Sequence, residues 1–254
     1  MASKVFITGA SSGIGEALAR HYAGNGAAVG LYARRIGELS RIAASLPAER
    51  VAIYAGDVRD ADVVAAAARA FVARFGTPDV VVANAGVSRG TSTEHADDLA
   101  TFRDVLDTNV VGLVNTFQPF VAAMRAARHG TLVGIASIAG FRGVPGSGAY
   151  SASKAAAIAY LESLRVELRG SGVSVVTVCP GYIATPMTEG NPYPMPFLMS
   201  PEAAARSIVR AVARRKRFHV LPWPMALLGR AFRALPRPLY DRMFANAPRK
   251  PRSR

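Results

Sequence analysis

Short apolar runs rich in Val and Ile recur through the first 180 residues, and longer Ala-rich stretches separate them. The runs are Lys4–Thr8, Ala27–Ala33, Val51–Ala55, Val80–Ala83, Gly130–Ala136 and Val173–Cys179. They are too short for helices and lack the polar alternation of a half-solvated strand, so they read as strands covered on both faces. The intervening stretches Gly13–Gly24, Ile36–Leu46, Asp60–Phe75, Leu99–Ala127 (broken near Thr108) and Tyr150–Arg169 have helical composition. Gly and Pro mark the joints, as in Gly24-Asn25-Gly26 and Gly76-Thr77-Pro78. Parallel strands require crossover connections, and right-handed crossovers place helices on both faces of the sheet. The predicted fold is therefore α/β: a doubly wound parallel sheet of about seven strands with helices on both faces.

The texture changes after Pro180. Pro186, Pro192, Pro194, Pro196 and Pro201 make residues 186–201 too proline-rich for a helix. A helix fits Glu202–Arg215, with Ser200 as N-cap and Pro201 at its first position. Phe218–Leu221 reads as a last short strand. Residues 1–222 are thus expected to form a single domain, and residues 223–254 a basic, apolar C-terminal helical extension. With 254 residues, 50% of them apolar, the chain can build a large core, which excludes disordered and collagen-like classes. Its one cysteine, Cys179, excludes an internal disulfide framework and points to a reducing, cytoplasmic setting. Met1-Ala2-Ser3-Lys4 runs straight into the first strand, so no signal peptide is expected, and no apolar run is long enough to span a membrane. The net charge of +14 is concentrated: residues 200–254 hold 14 Lys/Arg against 2 acids. The basicity belongs to a tail, and no nucleic-acid partner is expected.

The first strand ends in Thr8-Gly9-Ala10-Ser11-Ser12-Gly13-Ile14-Gly15, directly before a helix. Glycines let the backbone approach a pyrophosphate, and the helix N-terminus offers free N–H groups and positive potential. This makes the sheet Rossmann-like and the turn a dinucleotide site. The second strand ends Tyr32-Ala33-Arg34-Arg35, where an acid would select NAD(H) by bonding its ribose hydroxyls. A guanidinium there suits a 2′-phosphate, so NADP(H) is the expected cofactor, with Arg34 favoured over Arg35 as its grip. Asp57-Val58 and Asn84-Ala85-Gly86 follow the third and fourth strands at the same sheet edge, placed for the adenine and ribose.

Tyr150 and Lys154, four residues apart, share one face of a predicted helix. Tyrosine titrates near 10, too high for a neutral acid–base group, and a nearby ammonium lowers that value. Ser137 follows the fifth strand, within reach of a substrate carbonyl or alcohol. Asn109 is placed to hold a water near Lys154 and relay protons. The scattered His21, His95, His129 and His219 show no metal-ligand spacing, so no metal is expected.

With these pieces in this order and spacing, the chain resembles the short-chain dehydrogenase/reductase family over residues 4–220. The matching residues are Thr8-Gly-Ala-Ser-Ser-Gly-Ile-Gly15, Asp57, Asn84-Ala-Gly86, Asn109, Ser137, Tyr150-x-x-x-Lys154 and Pro180-Gly181-x-x-x-Thr185. The resemblance implies that Tyr150 is the acid/base, that Lys154 lowers its pKa and binds the nicotinamide ribose, and that Ser137 orients the substrate. It also implies that Asn109 supports a proton relay and that Pro180, Gly181, Ile183 and Thr185 contact the nicotinamide end. Ala83 departs from the pattern, since many members carry a second Asn there. The implied reaction is hydride transfer between nicotinamide and a carbonyl or secondary alcohol, in the reducing direction with NADPH. A catalytically silent cofactor-binding scaffold and an epimerase or dehydratase of the same fold are the competing readings. A homodimer or homotetramer through the long helices is implied as well.

The loops Val87–His95, Ile138–Ser147 and Tyr182–Met199 are expected to set the substrate. They offer Phe141, Val144, Tyr182, Ile183, Met187, Tyr193, Met195, Phe197, Leu198 and Met199, which suit an apolar ketone such as a lipid, ketoacyl, steroid-like or xenobiotic compound. The extension mixes large apolar residues with Arg230, Arg233, Arg237 and the basic end Arg249-Lys250-Pro251-Arg252-Ser253-Arg254. Two readings fit it: peripheral contact with a membrane surface, or packing against the sheet or a second subunit with solvated arginines.

Overall fold

The computed structural model describes residues 3–191 and 193–252. Expectations resting on Met1, Ala2, Pro192, Ser253 and Arg254 lie outside the described residues. Seven parallel strands form one sheet: β1 (Lys4–Thr8), β2 (Ala28–Ala33), β3 (Val51–Ala55), β4 (Val80–Ala83), β5 (Gly130–Ile135), β6 (Val173–Pro180) and β7 (Phe218–Leu221). Their order is β3-β2-β1-β4-β5-β6-β7, so the chain reverses its direction of travel between β1 and β4. In-register pairs such as Val5↔Val29 and Val5↔Val80 place the strand ends on one line. The loops leaving those ends converge, and in such sheets ligands bind at that edge.

Helices α1 (Gly13–Gly24), α2 (Ile36–Ala43) and α7 (Pro201–Ala213) cover one face, burying Leu18, Leu39, Ile42 and Ile208 against Val5, Ile7 and Leu31. Helices α3 (Ala61–Phe75), α5 (Gly112–Ala126) and α6 (Gly148–Glu167) cover the other. There Phe6 is the hub of an aromatic cluster, edge-on to Phe71 at 5.5 Å and tilted against Phe120 at 5.0 Å. Both faces of each central strand are buried, which is why the strands read as unbroken apolar runs.

Caps explain several boundaries. Asp60, expected as the first residue of α3, instead caps it, its carboxylate accepting from the N–H groups of Asp62 and Val63. Ser200 accepts from Ala203 N–H with Pro201 at the first helical position, as expected. The expected break near Thr108 is not a break. Helix α4 (Asp98–Leu106) passes into α5 through a π turn over Asp107–Val111, and the helical path continues. One extra residue per turn shifts the helix phase there, a device found often at functional sites.

Among the described residues no helix is long and apolar enough to cross a membrane. The extension forms α8 (Trp223–Ala234) and α9 (Arg237–Phe244) and then a segment that returns across the molecule. Of the two readings of it, packing against the chain's own body accounts for much of its apolar surface. Phe141 abuts Gly229, so closely that a Cβ there would lie 2.6 Å from its ring. Arg142 Nη1 donates to the carbonyl oxygens of Phe232 and Leu235, both at 3.0 Å, at the C-terminal end of α8, where cations are favoured. The Arg142 guanidinium also stacks 4.2 Å over the Tyr240 ring, and Tyr240 donates to Gly143 O at 2.6 Å. Trp223, Leu227, Leu239 and Met243 remain exposed.

The last described residues form a strap. Arg252 forks onto Asp98 through Nε–Oδ2 (2.9 Å) and Nη2–Oδ1 (3.0 Å), and its backbone bridges Gly90. Asp98 is only 6% exposed and also accepts from Ser92 N–H. These donors hold its carboxyl below the usual carboxylate range, the Arg252 fork first. Replacing Arg252 by Ala should free the strap and leave the sheet intact. Limited trypsin should then cleave after Arg249 markedly faster than in the wild type. Unchanged cleavage would show that the fork does not hold the strap.

Candidate active site

A cleft of about 440 Å³ runs along the carboxyl edge of the sheet. Every residue singled out from the sequence as catalytic or cofactor-binding lines it, except Gly15 and Asn109. Those two are buried just behind its wall. Gly9 (φ +66°) turns the chain out of β1, and a Cβ on it would lie 2.8 Å from Ala85 Cα. A Cβ on Gly15 would collide with the Gly9 carbonyl oxygen. Glycine at these positions lets α1 begin hard against β1 and β4. Ser12 makes no side-chain cap to α1, so the first-turn N–H groups stay open, and Gly13 and Ile14 in that turn line the cleft. The residues present fit a dinucleotide phosphate.

Several predicted residues hold the cleft's shape rather than face its centre. Asn84 Nδ2 donates to Thr8 O and Gly9 O, both at 3.1 Å, tying the end of β4 to the glycine turn. Asp57 accepts from Arg59 through Nη2 at 2.6 Å and Nε at 3.0 Å. That hydrogen bonding, chiefly to the Arg59 side chain, holds its carboxyl below the usual range. Arg34, 60% exposed, lies 3.8 Å from the same carboxylate. Arg35, the less favoured of the pair, bridges instead to Ser11 Oγ and Ser12 Oγ at 3.0 Å each. Both arginines line the cleft, and Arg35 is the one bonded to the glycine turn.

Ser137 follows β5, and its Oγ accepts from Ala139 N–H at 3.1 Å, which fixes the hydroxyl at the cleft. Tyr150 and Lys154 lie one turn apart on α6, the ammonium 5.8 Å from the Tyr150 ring centroid. Lys154 is buried and donates to Ile135 O at 2.8 Å. Burial pushes its pKa down to about 8. The expected lowering of the Tyr150 pKa by Lys154 is not what the protein alone produces. Burial dominates and raises it, and the Ser137 hydroxyl bonded to the phenol works the other way. The thiol of Cys179, which is fully buried, is pushed up to about 12, chiefly by burial, which favours its protonated form.

Asn109 sits in the π turn with its side-chain amide committed. Oδ1 accepts from Val87 N at 2.8 Å, and Nδ2 donates to Val87 O and Ser153 Oγ, both at 2.9 Å. It clamps the loop after β4 onto α6. Asn109 still meets Lys154 over Gly86, since a Cβ there would lie 3.1 Å from Asn109 Oδ1 and 3.5 Å from Lys154 Nζ.

A second cavity of about 400 Å³ opens beside the first and shares Ser137, Tyr150, Gly181, Met187 and Thr188 with it. Phe141, Val144, Tyr182, Met187 and Tyr193 line it, as expected. Ile183 lines the first cleft instead, Phe197 and Leu198 are exposed, Met199 packs toward the core, and Met195 is not in the wall. The opposite wall comes from the extension: Met225, Leu228, Phe232, Tyr240, Phe244 and Lys250. Sequence reasoning did not place these residues in the site. Their one signal was the density of large apolar residues in a basic tail, which equally fits a membrane or a subunit contact.

The family model described as short chain dehydrogenase matches residues 3–193. An uncharacterized oxidoreductase of Myxococcus xanthus is 40% identical over 240 residues, covering 92% of this chain and 93% of that protein. The solved structure of an alcohol dehydrogenase from the archaeon Thermococcus sibiricus, complexed with 5-hydroxy-NADP, is 30% identical with a TM-score of 0.76, covering 86% of this chain and 94% of that one. L-Sorbose reductase from Gluconobacter frateurii, complexed with NADPH and L-sorbose, is 27% identical with a TM-score of 0.77, covering 86% and 94%. The glycine turn, the serine–tyrosine–lysine cluster and these matches agree: the chain belongs to the short-chain dehydrogenase/reductase family of nicotinamide-dependent oxidoreductases.

Proposed function

We propose that this oxidoreductase uses NADP(H) to interconvert a ketone and a secondary alcohol with an apolar body, in the reducing direction with NADPH. One observation carries this reading: a cation-bordered dinucleotide cleft and a largely apolar chamber meet at Ser137 and Tyr150. When bound, the cofactor supplies the hydride. The chain's own residues position the carbonyl and deliver the proton. Ser137 Oγ donates a hydrogen bond to the substrate oxygen, and the Tyr150 phenol gives its proton to the same oxygen as it becomes an alkoxide. Burial keeps that phenol protonated at neutral pH, the state a proton donor needs. Lys154 holds positive charge beside the phenolate that remains, and Asn109 fixes the loop and helix on which these groups ride. The domain that precedes α8 handles the dinucleotide, and residues 225–250 complete the chamber.

NADP(H) preference rests on the two guanidinium groups and on the absence of an acid at the end of β2. In titrations, NADPH should bind more tightly than NADH. Arg34→Ala should weaken NADPH binding roughly tenfold or more, the scale of a charge-assisted hydrogen bond, with Arg35→Ala weaker in effect and NADH little changed. Tighter binding of NADH would overturn the cofactor assignment.

Tyr150→Phe should lower kcat for reduction by about 10²–10⁴-fold while NADPH still binds. Because the Tyr150 pKa lies above its ordinary value, wild-type reduction should stay level through neutral pH and fall at alkaline pH as the phenol ionises. A fall beginning below neutrality would assign the proton to another group.

Lys154 is protonated less readily folded, at about 8, than at the ordinary 10.5, so burying its charge costs stability at neutral pH. Stability attributable to this residue should therefore rise as pH increases from about 8 toward 10.5. Lys154→Met should lose activity yet unfold at a temperature no lower than the wild type at pH 7. A large drop in Tm would mean that the bond to Ile135 O outweighs the burial cost.

A further inference from the structure

The chamber beside Tyr150 is largely apolar, and among the described residues no Asp or Glu lines it. Two cations do: Arg142 and Lys250. Arg142 is engaged with the C-terminal carbonyls of α8 and the face of Tyr240. Lys250 is different. The strap lays it across the chamber, where Nζ donates to Ser88 Oγ at 2.9 Å and, at a longer 3.4 Å, to Met187 O. Both partners are neutral, and an ammonium carries three donors, so one N–H is uncommitted. Burial is the single cause acting on its pKa, downward, with no carboxylate offsetting it. A cation drawn into an apolar wall without a counter-charge is costly unless an anion joins it.

We propose that Lys250 receives an anionic group of the substrate, so that the enzyme acts on keto acids or hydroxy acids with an apolar body and a carboxylate distant from the reacting carbon. The assignment rests on the oxidoreductase reading above and narrows its substrate class. Ser137 and Tyr150 hold the reacting oxygen at one wall of the chamber, the apolar side chains of α8 and α9 cover the body, and Lys250 takes the carboxylate. Specificity of this kind is marked, because a buried charge left without its partner penalises the neutral analogue. The strap's anchors, the Arg252–Asp98 fork and the Gly90 bridge, set the position of Lys250 and are positioning elements for this contact.

The test uses the full chain with NADPH and two ketones of nearly the same shape, 4-acetylbenzoate and 4-acetylbenzamide. Wild type should reduce the carboxylate with kcat/KM about tenfold or more above the amide, chiefly through KM. Lys250→Met should lower kcat/KM for the carboxylate at least tenfold more than for the amide, and Lys250→Arg should keep the preference. Equal rates for the two ketones in the wild type, or equal losses in Lys250→Met, would overturn the proposal and leave Lys250 as a pin for the strap. A calorimetric titration with 4-methylbenzoate and 4-methylbenzamide separates the two readings, since it needs no turnover. Carboxylate binding that weakens in Lys250→Met, without reduction of either ketone, would retain the anion site and sink the ketone-reductase reading. No carboxylate binding at millimolar concentration would sink the anion site.

Discussion

The close approach of the β1–α1 turn to the end of β4 is the contact on which the rest of the site depends. Gly9 and Gly15 allow it, and Asn84 locks it by donating to the carbonyls of Thr8 and Gly9. Any side chain at Gly15 would push α1 away from the sheet. Because α1 begins there, its open N–H groups face the cleft, and because β4 ends there, Gly86 brings Asn109 and Lys154 together. The glycine turn and the surroundings of Lys154 are thus set by one packing decision at the point where the strand order reverses.

The Tyr150–Lys154 end of the cleft adds a second constraint, the burial of an ammonium. Lys154 has one protein acceptor, Ile135 O, and its pKa falls accordingly. Stability is spent to keep a cation next to Tyr150. The protein alone raises the Tyr150 pKa rather than lowering it, because desolvation of the phenol outweighs its other neighbours. A phenol held protonated is what carbonyl reduction requires.

Much of this was legible in the chain. Apolar runs covered on both faces pointed to a parallel sheet, the glycine turn after its first strand to a doubly wound one, and Ser137, Tyr150 and Lys154 followed in order. Local chemistry also fixed the caps at Ser200 and Asp60, although Asp60 proved to lie just outside its helix. The π turn at Asp107–Val111 was not legible, because one extra residue per turn leaves no compositional mark. Nor was it legible that Arg35 bonds the serines of the turn while Arg34 stays exposed beside Asp57, a difference made by side-chain packing rather than by position on the strand.

The sequence by itself determined the parallel α/β sheet, the glycine turn and the serine–tyrosine–lysine cluster, because each arises from residues close in the chain or from a periodicity that local sterics enforce. Only the tertiary structure decided what shares a chamber with Ser137 and Tyr150. The chamber's far wall comes from residues 225–250, which meet Phe141, Met187 and Tyr150 after long excursions of the chain. An apolar, basic tail suits a membrane, a second subunit or its own active site equally well by composition. The Arg252–Asp98 fork, the Arg142–Tyr240 stack and the bond from Lys250 to Ser88 settle where it rests. Those contacts join residues 98 to 162 positions apart in sequence, and no local rule could have paired them.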